Sequence, residues 1–222
     1  MTSGRPTANI YVDGFNLYRR ALQGHPHVKW LDLHKLFSTL MPDHDVLHVH
    51  YCTALLRNGL IEDIHAPVRQ QAYLRALRTD ERVTIHLGKF RNDKREMPVH
   101  PQEVDVRTRK FVTTPVRKME EKGSDVNLAA RMVACAFLGH ADIHVAVTND
   151  SDLVGPLRML KHELGFSTGI IFPMTRARSS KELVQTTPDF MSNVTIEALV
   201  ASQFPDVMHD AHGTVSRPEA WT

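Results

Sequence analysis

The sequence predicts an α/β fold, a central and mainly parallel β-sheet covered by helices on both faces. Two observations carry this reading. Short β-branched runs bounded by polar or turn residues, such as 8–12 (Ala-Asn-Ile-Tyr-Val) and 143–147 (Ile-His-Val-Ala-Val), alternate with longer segments of helical periodicity, the pattern of successive β-α-β units. The run 143–147 also fits a central strand better than a half-exposed one. It stops abruptly at Asn149-Asp150-Ser151-Asp152, so its carboxyl end should open into the crevice where open α/β sheets place ligands.

In chain order, the first strand over 8–12 ends at Asp13-Gly14 and turns into a helix over 16–22, glycine permitting the tight turn. A helix over 31–40 has an apolar stripe from Leu31, Leu33, Leu36, Phe37 and Leu40 and stops at Pro42. A strand over 46–55 follows, with His48, His50 and Cys52 on one face. That alternation has the ligand types of a zinc site, but no second ligand pair stands at a recognisable spacing, and hydrogen bonding satisfies such histidines equally well. A helix over 62–77 turns Val68, Tyr73, Leu74 and Leu77 inward, and a third strand over 82–87 closes another β-α-β unit.

Regularity then fails. Residues 89–116 contain Pro98, Pro101 and Pro115 and much charge, which predicts an insertion or mobile arm with at best a short hairpin near 104–112. Order returns at Gly123-Ser124-Asp125, with Ser124 as the N-cap of a helix bearing Val126, Ala129, Ala130, Val133, Ala134 and Phe137. Apolar residues surround most of that helix, which predicts burial. After strand 143–147 come a helix through Leu157, Leu160 and Leu164, a strand over 166–172, a short helix from Ser179 and a final element over 194–201.

A chain of 222 residues holds one sizeable core, whereas two full domains would be cramped. The expected organisation is a short extension at 1–7, one domain at 8–204 with the basic insertion at 89–116, and a flexible tail at 205–222. No segment approaches the roughly 18 apolar residues that span a bilayer, and the start lacks the apolar core of a signal peptide, so neither membrane association nor secretion is expected. Two cysteines, Cys52 and Cys135, make no disulfide framework, which suits a reducing cytoplasm. Net charge is only +2, yet Lys89 to Lys118 carries nine basic residues against four acidic. Such a segment is either a solvated surface or a contact for phosphates.

Three positions offer carboxylates at strand ends or helix starts: Asp13, Asp125, and Asp150 with Asp152. Each alone is unremarkable, and one of Asp150 and Asp152 also reads as a cap for the helix beginning near Leu153. Parallel strands with right-handed crossovers, however, bring all three to one sheet edge. Four acids in one cleft raise one another's pKa unless a cation intervenes. Mg²⁺ or Mn²⁺ suits a donor set of oxygens, and the chemistry such ions promote is phosphodiester hydrolysis. Asn16, one turn after Asp13, can orient a ligand through its amide. Lys122, just before the buried helix, can hold an acid or a phosphate, and Arg176, Arg178 and Lys181 lie near a predicted helix start, where N–H groups favour an anion.

Tyr11-Val12-Asp13-Gly14-Phe15-Asn16-Leu17-Tyr18, Lys122-Gly123-Ser124-Asp125-Val126-Asn127-Leu128-Ala129, and Asn149-Asp150-Ser151-Asp152-Leu153 with Pro156-Leu157 resemble the three acidic motifs of NYN-domain proteins, a LabA-like branch of the PIN-like nuclease superfamily. The resemblance runs in order from about residue 10 to 199. It implies a PIN-like αβα sandwich and a Mg²⁺- or Mn²⁺-dependent ribonuclease acting on RNA. Asp13, Asp125, Asp150 and Asp152 then become the metal-site acids, with Asn16 and Ser151 in support. Asn149 stands where many members have glycine. The arm, including Arg91 and Arg109, is longer and more basic than that core needs.

Other readings stay open. A haloacid dehalogenase-type phosphatase also starts with a strand ending in aspartate, but its second aspartate falls here on Phe15, removing the general acid. A weakly active RNA-binding or regulatory scaffold is compatible with the same acids. The residues leave a homodimer or a regulatory protein partner open.

Overall fold

The computed structural model describes residues 4–57, 63–174 and 178–222. Among them, seven strands form the main sheet: β1 (Thr7–Asp13), β2 (Asp45–Ala54), β3 (Val83–Pro98), β4 (Thr113–Lys122), β5 (Ile143–Val147), β6 (Ser167–Phe172) and β7 (Phe190–Asn193). Their order is β4-β3-β2-β1-β5-β6-β7, and every neighbouring pair is parallel except β3 with β4. The helices are α1 (Gly14–Leu17), α2 (Leu33–Leu40), α3 (Ala66–Leu77), α4 (Ser124–Phe137), α5 (Val154–Arg158), α6 (Lys181–Val184) and α7 (Ile196–Ala201). This is the predicted α/β class and is consistent with a PIN-like sandwich.

Period-two alternation in β1 divides the core. Ile10 and Val12 point to one face, packing with Leu36 and Phe37 of α2, Leu74 and Leu77 of α3 and Leu199 of α7. Tyr11 points to the other, joining Leu128 and Met132 of α4 and Leu157 of α5. The same alternation puts Asp13, two residues on, on the α4 side.

Several expectations need correction. The segment 89–116 is no irregular arm: β3 continues out of the sheet and pairs with β4 from Lys89↔Lys122 to Pro98↔Thr113, a two-stranded ribbon whose tip carries one more bridge, Val104↔Phe111. Proline is tolerated there because both ribbon strands have a free edge.

Helix α4 is buried on one face only, through Ser124, Leu128, Met132, Cys135 and Ala136, while Val126 and Phe137 are exposed. Its N-cap is Gly123, in the left-handed region at φ 100°, a conformation that glycine adopts without steric cost. Val68 of α3 likewise faces outward, and the start assigned to that helix at Glu62 lies outside the described residues. The strand β7 escaped the sequence reading, and the helix expected from Ser179 begins at Lys181 with Ser180 as its cap.

The tail is ordered. Strands β8 (Val207–Asp210) and β9 (Gly213–Ser216) form a hairpin, followed by a 3₁₀ turn over Glu219–Trp221. Arg75 on α3 holds the hairpin through a two-pronged bond to Asp210, Nε to Oδ2 at 2.9 Å and Nη2 to Oδ1 at 2.8 Å. Trp221 packs on Trp30 and Tyr73, with ring centroids 6.3 and 6.2 Å apart.

The histidines on β2 are hydrogen-bonded. His50 shares bonds with His86 at 3.0 Å and with the Cys135 thiol at 3.6 Å, and His48 with Thr84 at 2.8 Å. Burial pushes His50 down to about 3, so the ring is neutral. Cys52 and Cys135 are both free and buried. Among the described residues, no helix is long and apolar enough to cross a membrane.

Truncating a buried aromatic costs about 3 kcal/mol or more. Trp221→Ala is therefore expected to lower the unfolding free energy by about that amount in a urea titration; a loss below about 1 kcal/mol would mean that the tail adds nothing to the core.

Candidate active site

The carboxyl ends of β1 and β5 lie side by side, with Val12 paired to Val147. The chain leaves both strands through an aspartate. Asp13 ends β1 with 4% of its surface exposed and caps α1, its Oδ1 accepting from the Asn16 backbone N–H at 2.9 Å. Its Oδ2 accepts from the Thr148 hydroxyl at 3.1 Å. That hydroxyl oxygen in turn accepts from the Asp150 N–H at 3.0 Å. Asp150 caps the turn Ser151–Leu153, accepting from the Asp152 N–H at 3.1 Å. The two motifs are thus one hydrogen-bonded unit. Asn16 adds a cross-tie, its side-chain oxygen accepting from the Asn149 N–H at 3.1 Å.

Asp125 enters from the first turn of α4, half-buried. Burial raises its carboxyl to about 6, and the charges of Asp13, Asp150, Glu121 and Asp152 add to the rise. Asp13 is also raised, by burial first; the bonds from Asn16 and Thr148 oppose this, and Asp150 and Glu121 reinforce it. All four predicted acids are therefore electrostatically coupled at one sheet edge. The sharing reaches below the edge: burial, with Asp13 and Asp125 next, pushes the Cys52 thiol up to about 12.

Glu121 is an acid that the sequence reading missed. Alternation along β4 turns it to the crevice, while its neighbours Glu120 and Lys122 face the opposite side. It accepts from the Ser124 N–H at 3.1 Å and from the Ser124 hydroxyl at 2.5 Å, satisfying the first amide of α4. Gly88 makes room for it, since a Cβ there would stand 2.4 Å from the Glu121 Oε1 atom. The available signal was the period of β4, hidden because the segment did not read as a strand.

The remaining candidates are dispersed. Lys122 pairs with Glu120 at 3.1 Å, and Arg91 pairs with Asp93 at 3.1 Å. Ser151, Asp152 and Lys181 are exposed beside the edge. Arg178 is exposed, and its carbonyl accepts from the Asn149 amide at 3.4 Å. The Ser180 N–H is taken by the Asn149 side-chain oxygen at 2.7 Å, so this N–H at the predicted anion site is already engaged. Arg109 lies at the ribbon tip, about 30 Å from the acids at the rise of an extended strand. Arg176 lies outside the described residues.

Carboxylate, amide and hydroxyl oxygens that repel one another match what Mg²⁺ or Mn²⁺ binds. Among the described residues, however, no three acidic, histidine or cysteine side chains surround one ion position. Asp13 and Asp150 are turned instead onto the N–H groups they cap. Asp13, Asp125, Asp150 and Asp152 are the residues that would hold such an ion.

The repulsion has a measurable consequence. Asp125 binds its proton more tightly folded than unfolded, so its ionised form destabilises the fold, fully above about pH 6 and progressively less toward pH 4. Asp125→Asn is expected to stabilise the protein in chelator at pH 8 by about 1 kcal/mol, after discounting for solvent screening. The gain should shrink on acidification through that window. A thermal melt showing no gain at pH 8, or an equal gain at pH 4, would contradict the coupling.

Comparison with known proteins gives three findings. Over 233 aligned residues the chain is 29% identical to the 6-hydroxy-3-succinoylpyridine 3-monooxygenase HspA of Pseudomonas putida (strain DSM 28022 / S16), covering 96% of this chain and 74% of that protein. The crystal structure of VPA0982, a protein of unknown function from Vibrio parahaemolyticus RIMD 2210633, matches with a TM-score of 0.53 at 14% identity, over 89% of this chain and 98% of that one; likeness at that identity shows the fold alone. Residues 7–199, most of the chain, match the NYN domain. They span the Asp13, Asp125 and Asp150 motifs together, and the chain belongs to the NYN domain family.

Proposed function

We propose that the protein is a Mg²⁺- or Mn²⁺-dependent ribonuclease that hydrolyses single-stranded RNA at the edge formed by Asp13, Asp125, Asp150 and Asp152. The observation that carries the reading is the coupling of these acids, with Asp125 raised to about 6 by burial and by the four carboxylates around it. Membership of a family within the PIN-like nuclease superfamily supports the same reaction class. The two free, buried thiols suit a reducing cytoplasm.

Each residue has a role that follows from its setting. Asp13, fixed by the Asn16 N–H and the Thr148 hydroxyl, is the rigid member of the set. Asp150, Asp152 and Asp125 complete it from two other elements, and Asn16 locks the turn after β5 against α1 through Asn149. A divalent cation held there would neutralise charge on the phosphodiester and acidify an attacking water. Hydrolysis then breaks one P–O bond as water adds to phosphorus, and basic groups around the edge hold the neighbouring phosphates.

Purified protein is expected to cleave single-stranded RNA with Mg²⁺ or Mn²⁺ and not in chelator. Asp150→Asn should cut kcat/KM about a hundredfold while leaving the circular dichroism spectrum unchanged. Equal rates for variant and parent, or cleavage in chelator, would defeat the proposal. RNA binding without turnover, unchanged in Asp13→Asn and Asp150→Asn, would favour a scaffold. The name of HspA calls for a parallel control with 6-hydroxy-3-succinoylpyridine, air and a reductant; oxygen uptake there with RNA left intact would replace hydrolysis with oxidation.

A further inference from the structure

Three arginines gather at one cleft, on the side of the sheet away from the ribbon. Arg19 and Arg20 lie on the π-helical turn Tyr18–Leu22, which follows α1 directly and closes with the Gln23 N–H donating to the Tyr18 carbonyl at 2.7 Å. Wide turns of this kind are rare and concentrate at functional sites. With His25 and Arg178 they line a cavity of about 480 Å³ whose remaining side chains are apolar, Met174 and Ile196 included. That volume falls in the range of small-molecule sites.

No carboxylate balances these cations. Among the described residues the cleft is lined by no acid, Glu182 and Glu197 stand outside it although close in sequence, and Arg19, Arg20 and Arg178 form no ion pair. The chain as a whole is nearly balanced, with 27 Lys and Arg against 25 Asp and Glu. Three unpaired arginines converging on one concavity are therefore a local excess, and a cleft lined by one sign of charge concentrates the opposite ion. The acids adjoin it. Asn149, next to Asp150, donates its side-chain amide to the Arg178 carbonyl at 3.4 Å and its N–H to the Asn16 side chain at 3.1 Å, and Met174 follows β6, the neighbour of β5.

A bare anion would need no apolar walls. A nucleotide uses both parts of the cleft, because its base offers a flat, weakly polar face and its phosphate meets the planar donor fork of arginine. We infer that this cleft holds the nucleotide next to the phosphodiester that is cut, its base against the apolar walls and its phosphate among Arg19, Arg20 and Arg178. The inference rests on the ribonuclease reading and adds to it a subsite that engages a base as well as a phosphate.

The test is titration calorimetry on the full chain in chelator, where neither metal nor cleavage intervenes, with adenosine monophosphate, adenosine and inorganic phosphate as probes. Adenosine monophosphate should bind at least about tenfold more tightly than either part, because it alone engages both surfaces. Arg19→Gln with Arg178→Gln should weaken it about tenfold. Met174→Gln, which keeps the length of the side chain, should weaken it about threefold and leave phosphate binding within about twofold. Arg19 and Arg178 are exposed and Met174 is half-buried, and unchanged melting temperatures without ligand confirm intact folds. With Mg²⁺ and single-stranded RNA, the arginine variant should raise KM about tenfold and change kcat less than about twofold. Equal affinities for adenosine monophosphate and phosphate, or unchanged binding in the arginine variant, would overturn the inference. So would tighter binding of a pyridine carboxylate, which offers a ring and an anion without a ribose. RNA left uncut while adenosine monophosphate binds as expected would remove the ribonuclease reading and leave the nucleotide site standing.

Discussion

A buried carboxylate at the end of the central strand governs the design of this molecule. Asp13 sits between β2 and β5 in a sheet whose parallel strands all deliver their carboxyl ends to the same edge. Burial disfavours its charge, and two hydrogen bonds, from the Asn16 N–H and the Thr148 hydroxyl, only partly offset that. Every element that reaches this edge must therefore either solvate Asp13 or add to its electrostatic load. Thr148 and Asn16 do the first, while Asp125, Asp150 and Glu121 do the second. A structural cap alone would need none of those extra carboxylates, and this balance marks the edge as the candidate site.

The ribbon matters because it is continuous with that edge. Strand β4 runs into α4 through Gly123, whose positive φ turns the chain sharply, and Glu121 binds the first residue of α4. The position of Asp125 is thus coupled to the register of β3 with β4. A one-residue slip would exchange Glu121 for Lys122 or Glu120 at the crevice, because side chains alternate with period two. The close approach over Gly88, where any side chain would displace the Glu121 carboxylate, opposes such a slip.

Several features were legible in the sequence because they arise from local rules. A β-branched run ending in an acid and followed by a helix is recognisable at Asp13 and at Asp150, and parallel topology predicts that the two meet. The ribbon was not legible, for a physical reason: with solvent on both faces it lacks the apolar alternation that marks a strand, and three prolines imitate a loop. Glu121 was hidden with it. On α4, apolar residues occur around the whole circumference, so composition does not distinguish the buried face of Leu128 and Met132 from exposed Val126 and Phe137. The tail read as loose because its order depends on a few distant contacts, namely Arg75 with Asp210 and Trp221 with Trp30 and Tyr73.

Whether Asp150 is a helix cap or a site residue is a false choice. A carboxylate has two oxygens and about four acceptor positions. Asp13 commits both oxygens, Oδ1 to Asn16 and Oδ2 to Thr148. Asp150 commits Oδ1 to the Asp152 N–H, and among the described residues its Oδ2 has no hydrogen-bond partner. Among the described residues, Asp125 and Asp152 have none on either oxygen. The set is therefore graded from a fixed anchor, through a half-committed cap, to two free carboxylates. Capping would serve the proposed site directly: carboxylates already restrained by these bonds would lose less side-chain entropy on binding a cation or a phosphate. The same sequence feature thus ends a strand, starts a helix and presents charge to the crevice.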